Sequence, residues 1–243
     1  MYLICLNTND SDGIVEKFVN CKQKFEISIE YGVPAPPPDG PGGAISFWPG
    51  ALVGTSNGYD WLFQPLLTQG EFNDGWQAVP AVWIQNPDGS TAAQLGWADG
   101  VVKPGSTMFV PRPGDLITSS IKYDKATSVW EQSMTDVTTG EFFHFLITAG
   151  NTYRNEYVCP DNTLFELIYF TLECGFEPSK RNIWQNNIDA YTTFTIDGSP
   201  HNQNFTDKVK WTGEVYSGIS SLSLNLLENQ FTMNLPSETN EKT

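Results

Sequence analysis

Apolar and polar residues alternate with a period of two along much of the chain. Phe25, Ile27 and Ile29 alternate with charged or polar neighbours, and Leu222, Leu224 and Leu226 alternate with Ser and Asn. Side chains in a strand point to opposite faces in turn, so such runs predict strands with one buried face. The same reading gives strands over Leu116–Tyr123, Ser128–Asp136 and Glu141–Thr148, the last two joined by the turn Val137-Thr138-Thr139-Gly140. Further strands are predicted over Tyr2–Leu6, Phe25–Tyr31, Tyr191–Ile196, Val209–Val215, Ser221–Leu227 and Phe231–Leu235, and Gly13–Cys21 reads as a short helix or another strand. No stretch sustains a helical period. Short strands separated by turns such as Pro87-Asp88-Gly89 and Pro113-Gly114-Asp115 predict an all-β sandwich or barrel.

The run Val33 to Gly43, rich in Pro and Gly, continues neither a strand nor a helix, because proline removes a donor and glycine adds backbone freedom. It predicts three parts: a strand-bearing extension over 1–33, a linker or surface loop over 34–44, and a β-sandwich over 45–243.

Two strands carry a polar misfit. In the stretch 162–174, simple alternation puts Leu164, Glu166, Ile168, Phe170 and Leu172 on one face, and Phe165, Leu167, Tyr169 and Thr171 on the other. A carboxylate in such an apolar row is costly to ionise unless it is paired or wet, which makes Glu166 a candidate acid or base; the plainer reading is a strand-end Glu that reaches water. In Trp61–Gly70, Gln64 shares a face with Leu62 and Leu66. A buried amide needs partners, and Pro65 suggests a strand edge or bulge where backbone would supply them.

Composition narrows the functions. The chain has 243 residues, 13 Lys plus Arg against 28 Asp plus Glu, and a formal net charge of -15. That balance argues against nucleic acid and anionic membranes as partners, and it suits work in acid, where carboxylates lose charge. No apolar run is long enough to span a bilayer, and Met1–Leu6 is too short for a secretion leader, so the compartment stays open between a secreted mature chain and the cytoplasm. The 4 Cys lack the spacing of a zinc site, and with 2 His neither a metal centre nor a Ser-His-Asp triad is expected. Bridging Cys159 to Cys174 would require the ends of an extended strand to meet, so free thiols are at least as good a reading and the pairing stays open.

The order of several segments resembles a known family. Trp48-Pro49-Gly50 is followed by Leu62-Phe63-Gln64-Pro65-Leu66-Leu67, a Trp-rich strand from Trp76 through Trp83, Pro113-Gly114-Asp115-Leu116-Ile117, Thr135–Gly140, and Asn162–Glu173. This series over roughly residues 46–178 resembles the glutamic peptidases of the eqolisin type and related concanavalin A-like β-sandwich proteins. The resemblance implies a curved antiparallel sandwich with a groove across its concave sheet. It implies that Gln64 and Glu166 match the catalytic pair, the glutamate activating water as a general base and the glutamine amide stabilising the oxyanion, with no metal or cofactor. The chain departs from the family pattern at Phe165, at Leu167 where the family has Trp, and at Phe170 where it has a further acid.

These departures keep a rival open, a non-catalytic glycan- or ligand-binding protein on the same fold; an unrelated enzyme reusing the groove is a third possibility. In either of the first two cases the partner is a peptide or glycan, and Trp48, Trp76 and Trp83 are candidate substrate-binding platforms, although most Trp in a sandwich serve the core. Gln94 is a second, out-of-order match to the glutamine motif. His144, among Phe142, Phe143 and Phe145, reads as a satisfied strand histidine, and oligomeric state is not legible.

Overall fold

The computed structural model describes residues 2–3, 11–16, 24–35, 44–55, 58–69, 75–96, 109–161, 165–175, 187–196, 199–200, 221–225 and 230–234, with side chains described in 24–35, 46–55, 58–69, 75–96 and 109–161. Among them all regular structure is strand: β1 (Tyr2–Leu3), β2 (Ser11–Glu16), β3 (Lys24–Gly32), β4 (Ala44–Gly54), β5 (Asp60–Gln69), β6 (Gln77–Gln85), β7 (Thr91–Gly96), β8 (Leu116–Asp124), β9 (Val129–Asp136), β10 (Phe142–Thr148), β11 (Thr152–Tyr153), β12 (Tyr157–Val158), β13 (Phe165–Gly175), β14 (Asn187–Ile196), β15 (Ser199–Pro200), β16 (Ser221–Asn225) and β17 (Gln230–Asn234). The first large sheet runs β1-β2-β13-β4-β5-β6-β7. The second runs β10-β9-β8-β3-β14-β17-β16, with β15 paired to β14. All their pairings are antiparallel. The protein is an all-β antiparallel sandwich.

The alternation predicted for β3, β8, β9 and β10 is present, and each of these strands buries every second residue. The Thr138-Thr139 hairpin between β9 and β10 has a specific cause. The buried Asp136 carboxylate accepts the backbone N–H groups of Thr138 and Thr139 at 2.8 and 3.0 Å, and Gly140 takes the left-handed φ of 80° that closes the turn. Residues 11–16 form a strand, and the predicted strand Val209–Val215 lies outside the described residues.

The described strands of residues 1–33 lie inside the sandwich. β2 pairs with β13 in the first sheet, while β3 sits between β8 and β14 in the middle of the second. The Pro/Gly-rich stretch after β3 therefore connects the two sheets. Val33 N donates to Asp115 O, and Gly114 N donates to Val33 O, so the start of that stretch is tied to the turn before β8.

Between the sheets lies an aromatic core. Phe63 of β5 stacks on Trp130 of β9 at 4.3 Å and 13°, and Trp130 stacks on Tyr123 of β8 at 4.6 Å. Two of the core indoles find acceptors, Trp130 Nε1 donating to Pro160 O at 2.8 Å and Trp76 Nε1 to Pro34 O at 2.9 Å, while the buried Trp61 Nε1 has none among the described residues. Large apolar area is thus removed from water at no loss of these hydrogen bonds. Cys159 is a free, buried thiol, and burial pushes its pKa up, away from reactivity.

Candidate functional site

β5 is buried along both faces, which sets the first sheet apart from a sheet with one dry and one wet side. Phe47, Ala51 and Val53 of β4, Trp61, Phe63 and Leu67 of β5, and Ala78, Val82 and Ile84 of β6 join the core. The residues between them, Trp48, Leu52, Leu62, Leu66, Val79 and Ala81, form a separate apolar cluster on the far face of the same sheet, with Trp83 packed against it. Gln64 alternates with Leu62 and Leu66 on that far face and is 3% exposed.

Residues paired across an antiparallel ladder share a face, so the register shows what surrounds Gln64. On β6 its partner is Ala81, which in turn pairs with Gly96 of β7. On β4 the register is the same at Phe47↔Leu67 and at Ala51↔Phe63, which sets Gly50 opposite Gln64; Gly50 pairs onward with Tyr169 of β13. A line of small residues, Gly50, Ala81 and Gly96, therefore flanks the glutamine. On one side of this line runs Leu52, Leu62, Trp83 and Gln94, and on the other Trp48, Leu66 and Val79. Large residues thus stand on both sides of a line of small ones, and the buried Gln64 lies in that line. Among the described residues no group hydrogen-bonds to that amide, and a buried amide needs partners.

Two features explain why the sheet takes this shape. Pro65 pairs with Pro80, and the same register places Pro49 in line with them on β4, so three adjacent strands lack a backbone donor along one line. The β4–β5 ladder lapses there, between Phe47↔Leu67 and Ala51↔Phe63. Gly96 has a φ of 101°, and a Cβ on it would lie 2.6 Å from Pro80 O, so only glycine fits the end of that line.

Glu166 lies on β13 where the register with β4 shifts. Phe165 stands opposite Val53, a core-facing position, and Leu167 opposite Leu52, a far-face position. Farther on, Ile168 and Leu172 stand opposite core-facing Ala51 and Phe47, while Leu167, Tyr169 and Thr171 stand opposite Leu52, Gly50 and Trp48 of the Gln64 face. Phe165 and Ile168, three residues apart, thus occupy core-facing positions. This corrects the simple alternation read from the sequence, which put Phe165 with Leu167 and counted Glu166 in one unbroken row with Ile168. A bulge inserts an extra residue and breaks the period of two, and the extra residue falls at Glu166.

The three candidate tryptophans separate. Trp48 and Trp83 belong to the Gln64 face, Trp48 buried and Trp83 half-buried. Trp76 is instead a core residue, 1% exposed and 5.6 Å from the Phe47 ring, so it offers a ligand no face. Gln94, half-buried and paired with Trp83, lies on the Gln64 face. His144 is exposed on the outer face of the second sheet, its Nδ1 3.5 Å from Glu131 Oε1. Sequence reasoning passed over the small residues that flank Gln64, because no local pattern says which strands will be neighbours.

Solved structures of the same architecture include scytalido-glutamic peptidase with a peptide-based transition state analog, at a TM-score of 0.57 and 11% identity over 93% of this chain and 98% of that one. They also include SCP-B, a member of the eqolisin family of peptidases, in complex with the tripeptide Ala-Ile-His, at 0.53 and 13% over 93% and 98%. Basic winged bean lectin with Tn-antigen overlaps more loosely, at 0.37 and 12% over 97% and 77%. At these identities the likeness is one of fold. No protein-family model matches the chain, and no curated protein matches it in sequence.

Proposed function

We propose that the far face of the first sheet is a peptide-hydrolysing groove in which Glu166 activates water and Gln64 stabilises the tetrahedral intermediate. The observation that carries this reading is the line of small residues beside a buried glutamine amide, taken here as the floor of a furrow, with a bulge on the strand beyond Gly50. A bulge re-aims side chains, and it is a device by which a residue that strict alternation would turn inward reaches the other face. β5 and β13 are two strand spacings apart, about 10 Å. Along β13 the residue opposite Gly50 is Tyr169, and Glu166 stands further on, at the register shift level with Leu52 and Val53, so the reading requires a substrate and water to bridge a diagonal across the sheet.

The chemistry follows from the two groups. A carboxylate accepts a proton from water as the water attacks a peptide carbonyl, and the same carboxyl returns a proton to the leaving amine. The Gln64 N–H donates to the developing oxyanion, in a setting where the apolar walls Leu52, Leu62 and Leu66 keep bulk water out. Trp83, half-buried at the wall, offers a platform for a substrate side chain. A chain with 28 acidic residues suits acid conditions, where self-repulsion falls. That the fold is shared with peptidases solved with peptide ligands supports the reading.

A second reading, binding of a glycan or other ligand without catalysis, is favoured by the apolar cluster of Trp48, Leu52 and Trp83 on the same face. One experiment separates the two: incubation of the protein with an unfolded protein substrate in acid, alongside glycan binding. Hydrolysis predicts cleavage that Glu166→Gln abolishes with the fold intact. Glycan binding that survives Glu166→Gln and fails in Trp83→Ala, with no cleavage by the native chain, would replace the first reading with the second.

A further inference from the structure

Gln132 lies on the core face of β9, in the inward run Trp130, Gln132, Met134 and Asp136, and is 1% exposed. Its Nε2 crosses to the facing sheet and donates to the Ala81 carbonyl at 2.8 Å. Ala81 is the β6 partner of Gln64. In a regular ladder a carbonyl points along the sheet at the neighbouring strand. A carbonyl has two lone pairs, and Ala81 O offers one of them to a donor from the opposite sheet, which draws its peptide toward the core. The bond is made beside the Pro65–Pro80 pair, which offers no backbone donor, and beside Gly96, whose missing Cβ lets β7 press against Pro80 O. Gln132 therefore supplies a donor where the local ladder is short of them. Its own Oε1 has no partner among the described residues, a cost that a Leu or Met filling the same volume would not incur.

From this geometry we infer that Gln132 is a positioning residue for Gln64. By holding the Ala81 carbonyl it fixes the tilt of the β5–β6 rung, and with it the direction in which the Gln64 amide leaves the other face. The inference rests on the proposed role of Gln64, and its test reads the amide directly as well as through activity. The full chain is compared with Gln132→Met, which keeps length but loses the donor, and with Gln132→Glu, whose carboxyl donates an O–H to Ala81 O while protonated in acid. Two quantities are measured: the NMR signals of the Gln64 side-chain amide, assigned by their loss in Gln64→Ala, and kcat and KM for an unfolded protein substrate in acid.

Gln132→Met shifts the Gln64 amide signals and lowers kcat by about tenfold or more while KM stays nearly unchanged, since small misplacements of a catalytic group act on the chemical step. Gln132→Glu restores both in acid and loses both as its carboxyl deprotonates. Unmoved Gln64 signals in Gln132→Met overturn the inference. If that variant fails to fold, Gln132→Glu decides: Gln64 signals that do not change as pH is raised through the carboxyl's titration overturn it equally. Should the native chain cleave nothing, the hydrolytic reading falls, and the amide signals alone still decide whether Gln132 orients Gln64.

Discussion

The two faces of β5 differ in one respect that matters. Toward the core, Trp61, Phe63 and Leu67 join the shared apolar cluster, and Phe63 lies nearly parallel to Trp130 of the opposite sheet. Toward the far side, Leu62 and Leu66 are as apolar, but Gln64 stands between them with Gly50 and Ala81 as its neighbours on the adjacent strands. Both faces are buried and each carries an amide, Gln69 at the end of the core-facing row and Gln64 on the far side, but Gln64 has small residues beside it on both neighbouring strands. The comparison teaches that burial by itself does not say what a face is for: large side chains dominate the core-facing row, whereas the small residues beside Gln64 are what the proposed ligand face requires.

The sharpest way to break this comparison is on the packed face. Phe63→Ala removes a ring stacked on Trp130, and such truncations cost about 3–5 kcal/mol of stability, read as a lower midpoint in denaturant unfolding. A cost below about 1 kcal/mol would mean that the core face is not the packed one. Next in size is Gly96→Ala, which sets a Cβ against Pro80 O at a left-handed φ; it should cost about 1–3 kcal/mol and weaken substrate handling at the end of the furrow, whereas Gly89→Ala, with open space around it, carries only the backbone strain. Trp83→Ala is smaller in stability and instead raises KM several-fold, because its ring is half-buried at the furrow wall; an unchanged KM would remove Trp83 from the site.

The smallest expected effect lies far from both faces. The Asp124 carboxyl is held below its ordinary value chiefly by the hydrogen bond from Lys24 and next by the Ala126 N–H. A depressed folded value means that its contribution is present above the unfolded value and is lost as pH falls through the folded one. Asp124→Asn should therefore slightly flatten the acid side of the stability profile and leave cleavage unchanged.

Much of the fold was legible because its strands are one-faced. β8, β9 and β10 announce themselves by alternation, and the Asp136 turn by its Thr-Thr-Gly ending. Where both faces are apolar, as on β6, periodicity cannot say which side is the core, so Trp76 just before β6 and Trp83 on it look alike although one is core and the other lies on the Gln64 face. The place of residues 1–33 depends on pairings between distant segments, β2 with β13 and β3 with β8 and β14, which no local pattern records. The bulge at Glu166 breaks the alternation on which the sequence reading relied. Gln132 had a signal that went unused, a lone amide in the apolar row of Trp130 and Met134, of the kind that singled out Gln64.

The most direct test of the central claim is a paired measurement on Gln64→Ala, with unfolding stability and acid-range cleavage of an unfolded protein read on the same preparation. If the far face carries chemistry and the core face stability, the variant keeps its stability to within about 1 kcal/mol and loses about 10²–10³ in rate. A rate that is unchanged, or one that falls only in step with lost stability, contradicts the account.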